Sequence, residues 1–158
     1  MLLRRLAPVL LATLALGVSC TPAPATSPPA WDLDMLGQVN AQRSANGVGP
    51  LTVCPLLAID AQRHSNDQAS HHKMTHTGSD GSDMATRAAR VGYNHWSGLA
   101  ENVAMGQASV STVMGSWMSS AGHRTNLLNP AYNHVGFGLA YDGRTPYWTQ
   151  DFGANGTC

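Results

Sequence analysis

Two stretches of the sequence carry side chains that could do chemistry. In the first, His123 and Arg124 directly follow Gly122. Before them runs a helical pattern of apolar residues: Val110, Val113, Met114 and Trp117. Because glycine permits backbone conformations that other residues avoid, we expect the helix to break sharply between Ser119 and Gly122. An imidazole at such a break lines a cleft or caps the preceding helix, and both interpretations remain open.

The second stretch contains an isolated acid. Glu101 lies within Gly98–Gly106, where Val103 and Met105 alternate with small residues, as in a strand. No lysine or arginine stands beside Glu101 in the sequence. If the carboxylate is buried, it needs hydrogen bonds or a cationic partner from elsewhere in the chain. The alternative is a surface glutamate at the end of a strand.

A polar segment, residues 71–81, holds three histidines within six positions: His71, His72 and His76. Such a tract invites a metal-binding interpretation. Adjacent histidines like the first two are more often simply solvated. His64 lies in the preceding helical segment, where a packing or hydrogen-bonding role is favoured over a ligand role.

Helices in the first part of the chain and a hairpin at its end must position these groups. Helical patterns cover residues 31–46, 55–70, 84–91 and 109–118. Asp142-Gly143 predicts a tight turn between two alternating strands. Gly136 and Gly138 leave one strand face bare, so another element is expected to approach closely there. The predicted class is α+β, a three-layer α-β-α sandwich with a small antiparallel sheet.

The N-terminus predicts export. Arg4-Arg5 precede an apolar run, Leu6–Val18, which is too short to span a bilayer comfortably and is typical of a signal peptide. The run ends in Gly17-Val-Ser-Cys20, which resembles a bacterial lipoprotein cleavage site, although Gly17 stands where leucine is usual. Residues 1–20 are therefore a lipoprotein-type signal peptide with Cys20 as the lipidated residue. Ordinary cleavage nearby, within residues 21–25, is the alternative.

The remaining chain divides into a tether and one domain. Residues 21–30 are proline-rich and form an extended tether, so the domain spans 31–158. Three cysteines in an exported protein leave one over. Assigning Cys20 to lipid leaves Cys54 and Cys158 to pair as a disulfide outside the cytosol, if the geometry allows it.

The overall charge restricts the possible partners. Nine basic and nine acidic residues give a net charge near zero, with no basic stripe. This argues against a nucleic-acid partner, because phosphate binding needs clustered lysine and arginine. We expect a monomer located in the cell envelope or outside the cell, attached to a membrane if Cys20 is lipidated.

Three motifs in order resemble one family. Gly98-Leu-Ala-Glu-Asn-Val-Ala-Met-Gly106 resembles its G-E-N-x-x-x-G signature, with Ala100 in place of a glycine. Ser116–Pro130 resembles the bacterial form of its second signature, and Val135–Gly153 resembles its closing hairpin. The family is the CAP superfamily of cysteine-rich secretory, antigen 5 and pathogenesis-related 1 proteins, also called SCP domains. Each motif is weak alone, but their order and spacing make the resemblance specific.

The resemblance implies an α-β-α sandwich with a cleft of two histidines and two glutamates. His76 is similar to the first histidine, Glu101 to the first glutamate and His123 to the second histidine. Ser119 or Ser120 stands where the second glutamate would fall, so the set is incomplete. Where family members bind a divalent cation, it rests on the two histidines. Family roles also include lipid binding, cell-wall or defence functions and protein contacts.

The residues favour a binding module over an enzyme. Two histidines and a glutamate form a ligand set used by hydrolytic zinc sites, but no H-E-x-x-H helix is present. A hydrolase using Ser120, His123 and Glu101 is the alternative, although the chain has no G-x-S-x-G elbow. No cofactor is certain. We expect a lipid or cell-wall ligand, or a divalent cation such as zinc held weakly by His76 and His123 and lost below about pH 6.

Overall fold

A computed structural model describes residues 29–158 of the chain. The predicted signal peptide, Cys20 and all but the end of the predicted tether lie outside the described residues. The helices are α1 Ala30–Ala45, α2 Pro55–Ser70, α3 Met84–Arg90, α4 Val110–Ser119 and α5 Ala121–Leu127. The strands are β1 Thr52–Val53, β2 Gly98–Met105, β3 His134–Asp142 and β4 Thr145–Ala154.

Local chemistry explains where the helices that carry the site begin. Pro55 occupies the first turn of α2, where its missing N–H costs nothing. Asp83 accepts a hydrogen bond from the backbone N–H of Thr86 and so caps α3. Ser109 and Thr112 form a reciprocal capping box at the start of α4. All four predicted helices are present, and their ends differ from the predicted ones by at most one residue.

A single four-stranded sheet has the order β1-β3-β4-β2. The β3–β4 hairpin and the β2–β4 pair are antiparallel, whereas β1 runs parallel to β3. Gly143 has a φ of +55° in the tight turn that joins Asp142 to Thr145, as the Asp-Gly pair predicted. Strand β2 lies at one edge of the sheet, which leaves its outer side open for a site.

Helix α2 lies directly on the bare glycine face of β3. A Cβ added to Gly136 would stand 2.1 Å from the carbonyl carbon of Leu57. One added to Gly138 would stand 2.1 Å from the backbone oxygen of Ala61. The close approach predicted from these two glycines is confirmed, and it brings the polar residues of α2 within reach of β2 and β4.

The opposite face of the sheet carries the larger hydrophobic core. Side chains of α1, α4 and α5 pack there against strand residues, and the buried members include Met35, Val39, Val113, Met114, Trp117, Leu127, Val135, Phe137, Trp148 and Phe152. Helices therefore cover both faces of the sheet. The predicted α+β class and α-β-α layering are confirmed.

Helix α4 breaks within the predicted stretch between Ser119 and Gly122, but Gly122 does not make the break. The chain leaves helical geometry at Ser120, whose φ and ψ are −94° and 122°. Gly122 lies inside α5 and has no positive φ, so its special backbone freedom is not used. The prediction of a turn made by Gly122 is wrong, because an extended conformation at Ser120 is open to any residue. His123 consequently sits in the first turn of a helix.

A disulfide fixes the end of the chain. Cys158 is bonded to Cys54, with their Cα atoms 5.5 Å apart. Cys54 is buried immediately before α2, so the bond ties the last residue to the start of that helix. The predicted pairing is confirmed. Within residues 29–158, no helix combines the length and apolar character needed to cross a membrane.

Candidate functional site

Edge strand β2 presents Glu101 on the face of the sheet that α2 covers. Glu101 is 8% exposed and stands opposite Asp151 in the antiparallel register with β4. This burial contradicts the alternative of a surface glutamate at a strand end. A carboxylate in this position must find partners within the protein, because leaving it unpaired would cost several kcal/mol.

His76 supplies the first partner of that carboxylate. Its Nδ1–H donates to Oε1 of Glu101 at 2.8 Å. The ring remains open to solvent, with 61% of its side-chain surface exposed. The hydrogen bond to Glu101 raises the pKa of His76, and the charge of that carboxylate acts in the same direction. In the neutral ring this bond keeps the proton on Nδ1, so Nε2 is left unprotonated, with a lone pair available for coordination.

His123 approaches from the other side of the β2 edge. The backbone carbonyl of His123 accepts a hydrogen bond from the side-chain amide of Asn102 at 3.2 Å, which ties α5 to β2. Asn126 strengthens this contact by donating to Oδ1 of Asn102 at 2.9 Å. Burial lowers the pKa of the half-buried His123, and the charge of His76 lowers it further. Both effects disfavour the protonated form of His123.

Arg87 is the cationic partner of Glu101, and the sequence analysis did not identify it. Its Nη2 donates to Oε2 of Glu101. Its Nη1 donates to the backbone carbonyl of His76 at 3.0 Å. A signal for this residue was present, because Arg87 lies on the inward face of α3 with Met84, Ala88 and Val91 at helical spacing. A buried arginine in that stripe indicates an acidic partner in the interior.

Two further carboxyls lie behind Glu101 and were also missed from the sequence. Asp60 of α2 is 2% exposed, and its Oδ1 stands 3.7 Å from Nε of Arg87. Burial raises the pKa of Asp60 to about 6 against the attraction of Arg87. Burial also raises the pKa of Asp151 far above its ordinary value, and the negative charges of Glu101 and Asp60 add to this. Neither oxygen of Asp151 accepts a hydrogen bond from an N–H or O–H donor of the described residues, which agrees with the direction of its pKa shift.

Of the other histidines, His64 lies beside Glu101, with its Nε2 3.7 Å from Oε2 of that residue, whereas His71 and His72 contact other carboxylates. His64 is 1% exposed and its Nε2–H donates to the carbonyl of Thr75 at 2.8 Å, as expected for a hydrogen-bonding residue. Burial lowers the pKa of His64. His71 and His72 are exposed and lie beside the carboxylates of Asp67 and Asp142 at 3.2 Å and 2.6 Å. These two rings are solvated, as the sequence favoured.

Ser120 does not form a nucleophile pair within the described residues. It lies at the junction of α4 and α5, and its hydroxyl makes no hydrogen bond to His123 or Glu101 in this part of the chain. The hydroxyl of neighbouring Ser119 donates to the carbonyl of Gly115. A Ser-His-Glu hydrolase would need a serine hydroxyl paired with a base, and Ser120 makes no such pair among residues 29–158.

The donor set suits at most a weakly held cation. Nδ1 of His76 is engaged by Glu101, so the available ligands are its Nε2 and the ring of His123. Residues 29–158 contain no group of three or more His, Cys, Asp or Glu side chains placed to hold a metal. A structural zinc centre uses four protein ligands and a catalytic one three. Two imidazoles alone would leave most of a cation's coordination to water or to a bound molecule.

Comparison with known proteins identifies relatives of the whole domain. The sequence profile of the cysteine-rich secretory protein family matches residues 36–152. The protein YkwD of Bacillus subtilis is 31% identical over 132 residues, which are 84% of this chain and 50% of YkwD. The membrane protein YlbC of the same organism is 27% identical over 118 residues, 75% of this chain and 33% of YlbC. The chain thus spans half or less of the length of these relatives.

Solved structures support the same fold. An extracellular protein of Bacillus anthracis with an SCP domain superimposes with a TM-score of 0.69 at 24% identity, covering 78% of this chain and 40% of the other. An outer surface protein of Borrelia burgdorferi superimposes with a TM-score of 0.70 at 19% identity, covering 78% and 92%. A cysteine-rich secretory protein of Staphylococcus aureus gives 0.68 at 23% identity, covering 85% and 42%.

Proposed function

This chain belongs to the cysteine-rich secretory protein family, and on that premise we propose that it is an exported binding module whose cleft takes a divalent cation. The cleft is defined by His76, Glu101 and His123. The cation, such as zinc, is held by the two imidazoles and completed by water or by a polar group of a lipid or cell-wall ligand. The protein acts by binding and does not turn its ligand over.

The observation that carries the proposal is the hydrogen bond from Nδ1 of His76 to Glu101 at 2.8 Å. Histidines that bind metals commonly donate their second ring N–H to a carboxylate, which fixes the tautomer and makes the ring a better ligand. The arrangement here has that form, with an exposed ring and a buried carboxylate. Neutral His123, across the edge of β2, supplies the second donor.

Protons compete with the cation for the same rings. His123 favours the neutral form, whereas Glu101 raises the pKa of His76. Because His76 retains its proton above the ordinary histidine pKa of about 6.5, we expect affinity to decline already above that pH as the solution is acidified. This is a higher onset than the value near pH 6 suggested by the sequence alone.

Zinc titration by calorimetry tests the proposal. We expect wild type to bind one zinc ion weakly at pH 8, and His76→Ala and His123→Ala to lose at least tenfold in affinity. His72→Ala is the matched control, because this exposed histidine contacts Asp142 and lies outside the cleft. Equal heats for wild type and His123→Ala would refute the cation site. Improved binding of lipid or wall fragments in the presence of zinc would support the proposal that such a ligand completes the coordination of the cation.

Export and lipid attachment are a separate part of the proposal. The related proteins from Bacillus anthracis and Borrelia burgdorferi are described as extracellular and outer surface proteins. Together with the signal-peptide pattern of residues 1–20, this supports an envelope location for the present chain. We expect wild type to fractionate with membranes and Cys20→Ala to be released; retention of Cys20→Ala would contradict lipidation.

A further inference from the structure

Arg87 holds His76 at two points from inside the protein. Nη1 of Arg87 donates to the main-chain carbonyl of His76 at 3.0 Å and to that of Ser82 at 3.3 Å. Nη2 donates to Oε2 of Glu101, and the other oxygen of Glu101 accepts the Nδ1–H of His76 at 2.8 Å. One guanidinium thus contacts the backbone of His76 directly and its ring through a single carboxylate.

His76 depends on this support because its own segment gives it little. It lies in the irregular connection between α2 and α3, and 61% of its side chain is exposed. Among the described residues, Glu101 is the side chain that hydrogen-bonds the His76 ring. An exposed ring on a loop loses much rotational freedom when it is held in one orientation, so its position must be imposed from outside the loop.

Arg87 is well placed to impose it. The residue is 7% exposed on α3, and Nε stands 3.7 Å from Oδ1 of Asp60. The planar guanidinium directs its N–H groups along fixed lines, which lets it reach two carbonyls and one carboxylate at once. A lysine would preserve the charge but would present a single ammonium on a stem of different reach, so it could not satisfy all three acceptors.

We propose that Arg87 is the positioning residue of the cleft. It sets the orientation and tautomer of His76, so that Nε2 of His76 is free to coordinate the cation. Arg87 touches neither the cation nor its ligand and acts through Glu101 and the backbone. The proposal rests on the proposed function only in naming a divalent cation as the ligand whose affinity Arg87 controls. The orientation of His76 itself is independent of metal.

The test compares Arg87→Lys with Arg90→Lys in metal-free and zinc-titrated protein. Arg90 lies on the same helix, is exposed and contacts Asp80 instead of the cleft, so it is the matched control. Long-range proton–nitrogen NMR at pH 8.5 reads the tautomer of His76. We expect the Nδ1–H form in wild type and Arg90→Lys, and a mixture with the Nε2–H form in Arg87→Lys. Zinc affinity should fall about 10- to 100-fold in Arg87→Lys and stay within about twofold in Arg90→Lys.

The outcomes separate the two proposals. Absence of zinc binding by wild type would refute the proposed function, while the tautomer would still report on Arg87. An unchanged His76 tautomer in folded Arg87→Lys would overturn the positioning role. If Arg87→Lys does not fold, NMR of the Arg87 guanidinium in wild type at low temperature provides the test. A guanidinium held in place gives separate Nη resonances. Averaged resonances, like those expected of exposed Arg63, would overturn the proposal.

Discussion

Replacing Asp60 with asparagine should stabilise the protein at neutral pH. Asp60 is 2% exposed, and burial raises its pKa to about 6 from an ordinary value of 3.8. Between these values the folded state binds more protons than the unfolded state, so the free energy of unfolding falls as pH rises. The contribution of neutral Asp60 to the free energy of unfolding is therefore fully present below about pH 4 and is lost as the pH rises through about 6.

The size of the effect follows from the shift. One pKa unit corresponds to about 1.4 kcal/mol, so a shift of about two units corresponds to at most about 3 kcal/mol. The attraction of Arg87, 3.7 Å away, already offsets part of the burial cost within that value. Asparagine has nearly the same shape and never ionises, so Asp60→Asn avoids the cost. We therefore expect a gain of up to about 3 kcal/mol at pH 7.5 and almost none at pH 4.

Urea unfolding of wild type and Asp60→Asn at half-unit steps from pH 4 to pH 8 measures this difference. Subtracting the two curves removes the titrating groups whose pKa values do not depend on Asp60, including His64 and His76, whose pKa values move in opposite directions. Asp34→Asn is the control, because Asp34 is an exposed α1 residue that accepts a hydrogen bond from Gln38; its effect should remain within about 0.5 kcal/mol. A difference curve for Asp60→Asn that is flat, or that is larger at pH 4 than at pH 7.5, would refute the reasoning.

Two further predictions concern stability. Gly138→Ala should lower the free energy of unfolding by about 1–3 kcal/mol or more, since the new Cβ would lie 2.1 Å from the Ala61 oxygen. The same change at Gly115, an exposed helix position with open space, should stabilise by about 0.5–1 kcal/mol, and equal urea midpoints for the two variants would contradict the α2–β3 contact. Reduction of Cys54–Cys158, which are 104 positions apart, should remove up to about 4–5 kcal/mol of stability. Unfolding with and without a phosphine reductant measures this, and coincident curves would show that the bond does not form in solution.

Patterns along the chain were sufficient to predict the layers of the fold. Apolar spacing indicated the helices, the Asp142-Gly143 pair indicated the hairpin, and the count of cysteines indicated the bond between Cys54 and Cys158. The bare face at Gly136 and Gly138 indicated a close neighbour, which is α2. These features depend on local backbone preference or on one residue type, so they can be read without knowing which elements meet.

The sequence indicated only part of the candidate site. The sequence indicated that Glu101, if buried, would need hydrogen bonds or a cationic partner, but it did not identify Arg87, which reaches it from α3. Asp60 and Asp151 show nothing unusual in sequence and become a buried pair only when α2 packs on β4. The helix breaks at Ser120, inside the predicted stretch, but without the help of Gly122, because a glycine allows a turn but does not require one.

The sequence by itself predicted four of the five helices and the closing hairpin. It also predicted that Glu101 would need internal partners if it were buried, and which two cysteines pair once the third is assigned to lipid. Only the tertiary structure decided that Arg87 meets both Glu101 and the His76 backbone, and that the carboxyls behind them are buried. The physical reason is that secondary structure follows from interactions within a few residues. A pKa or a hydrogen bond at the cleft depends instead on groups brought together from distant parts of the chain, whose separation in space no local pattern records.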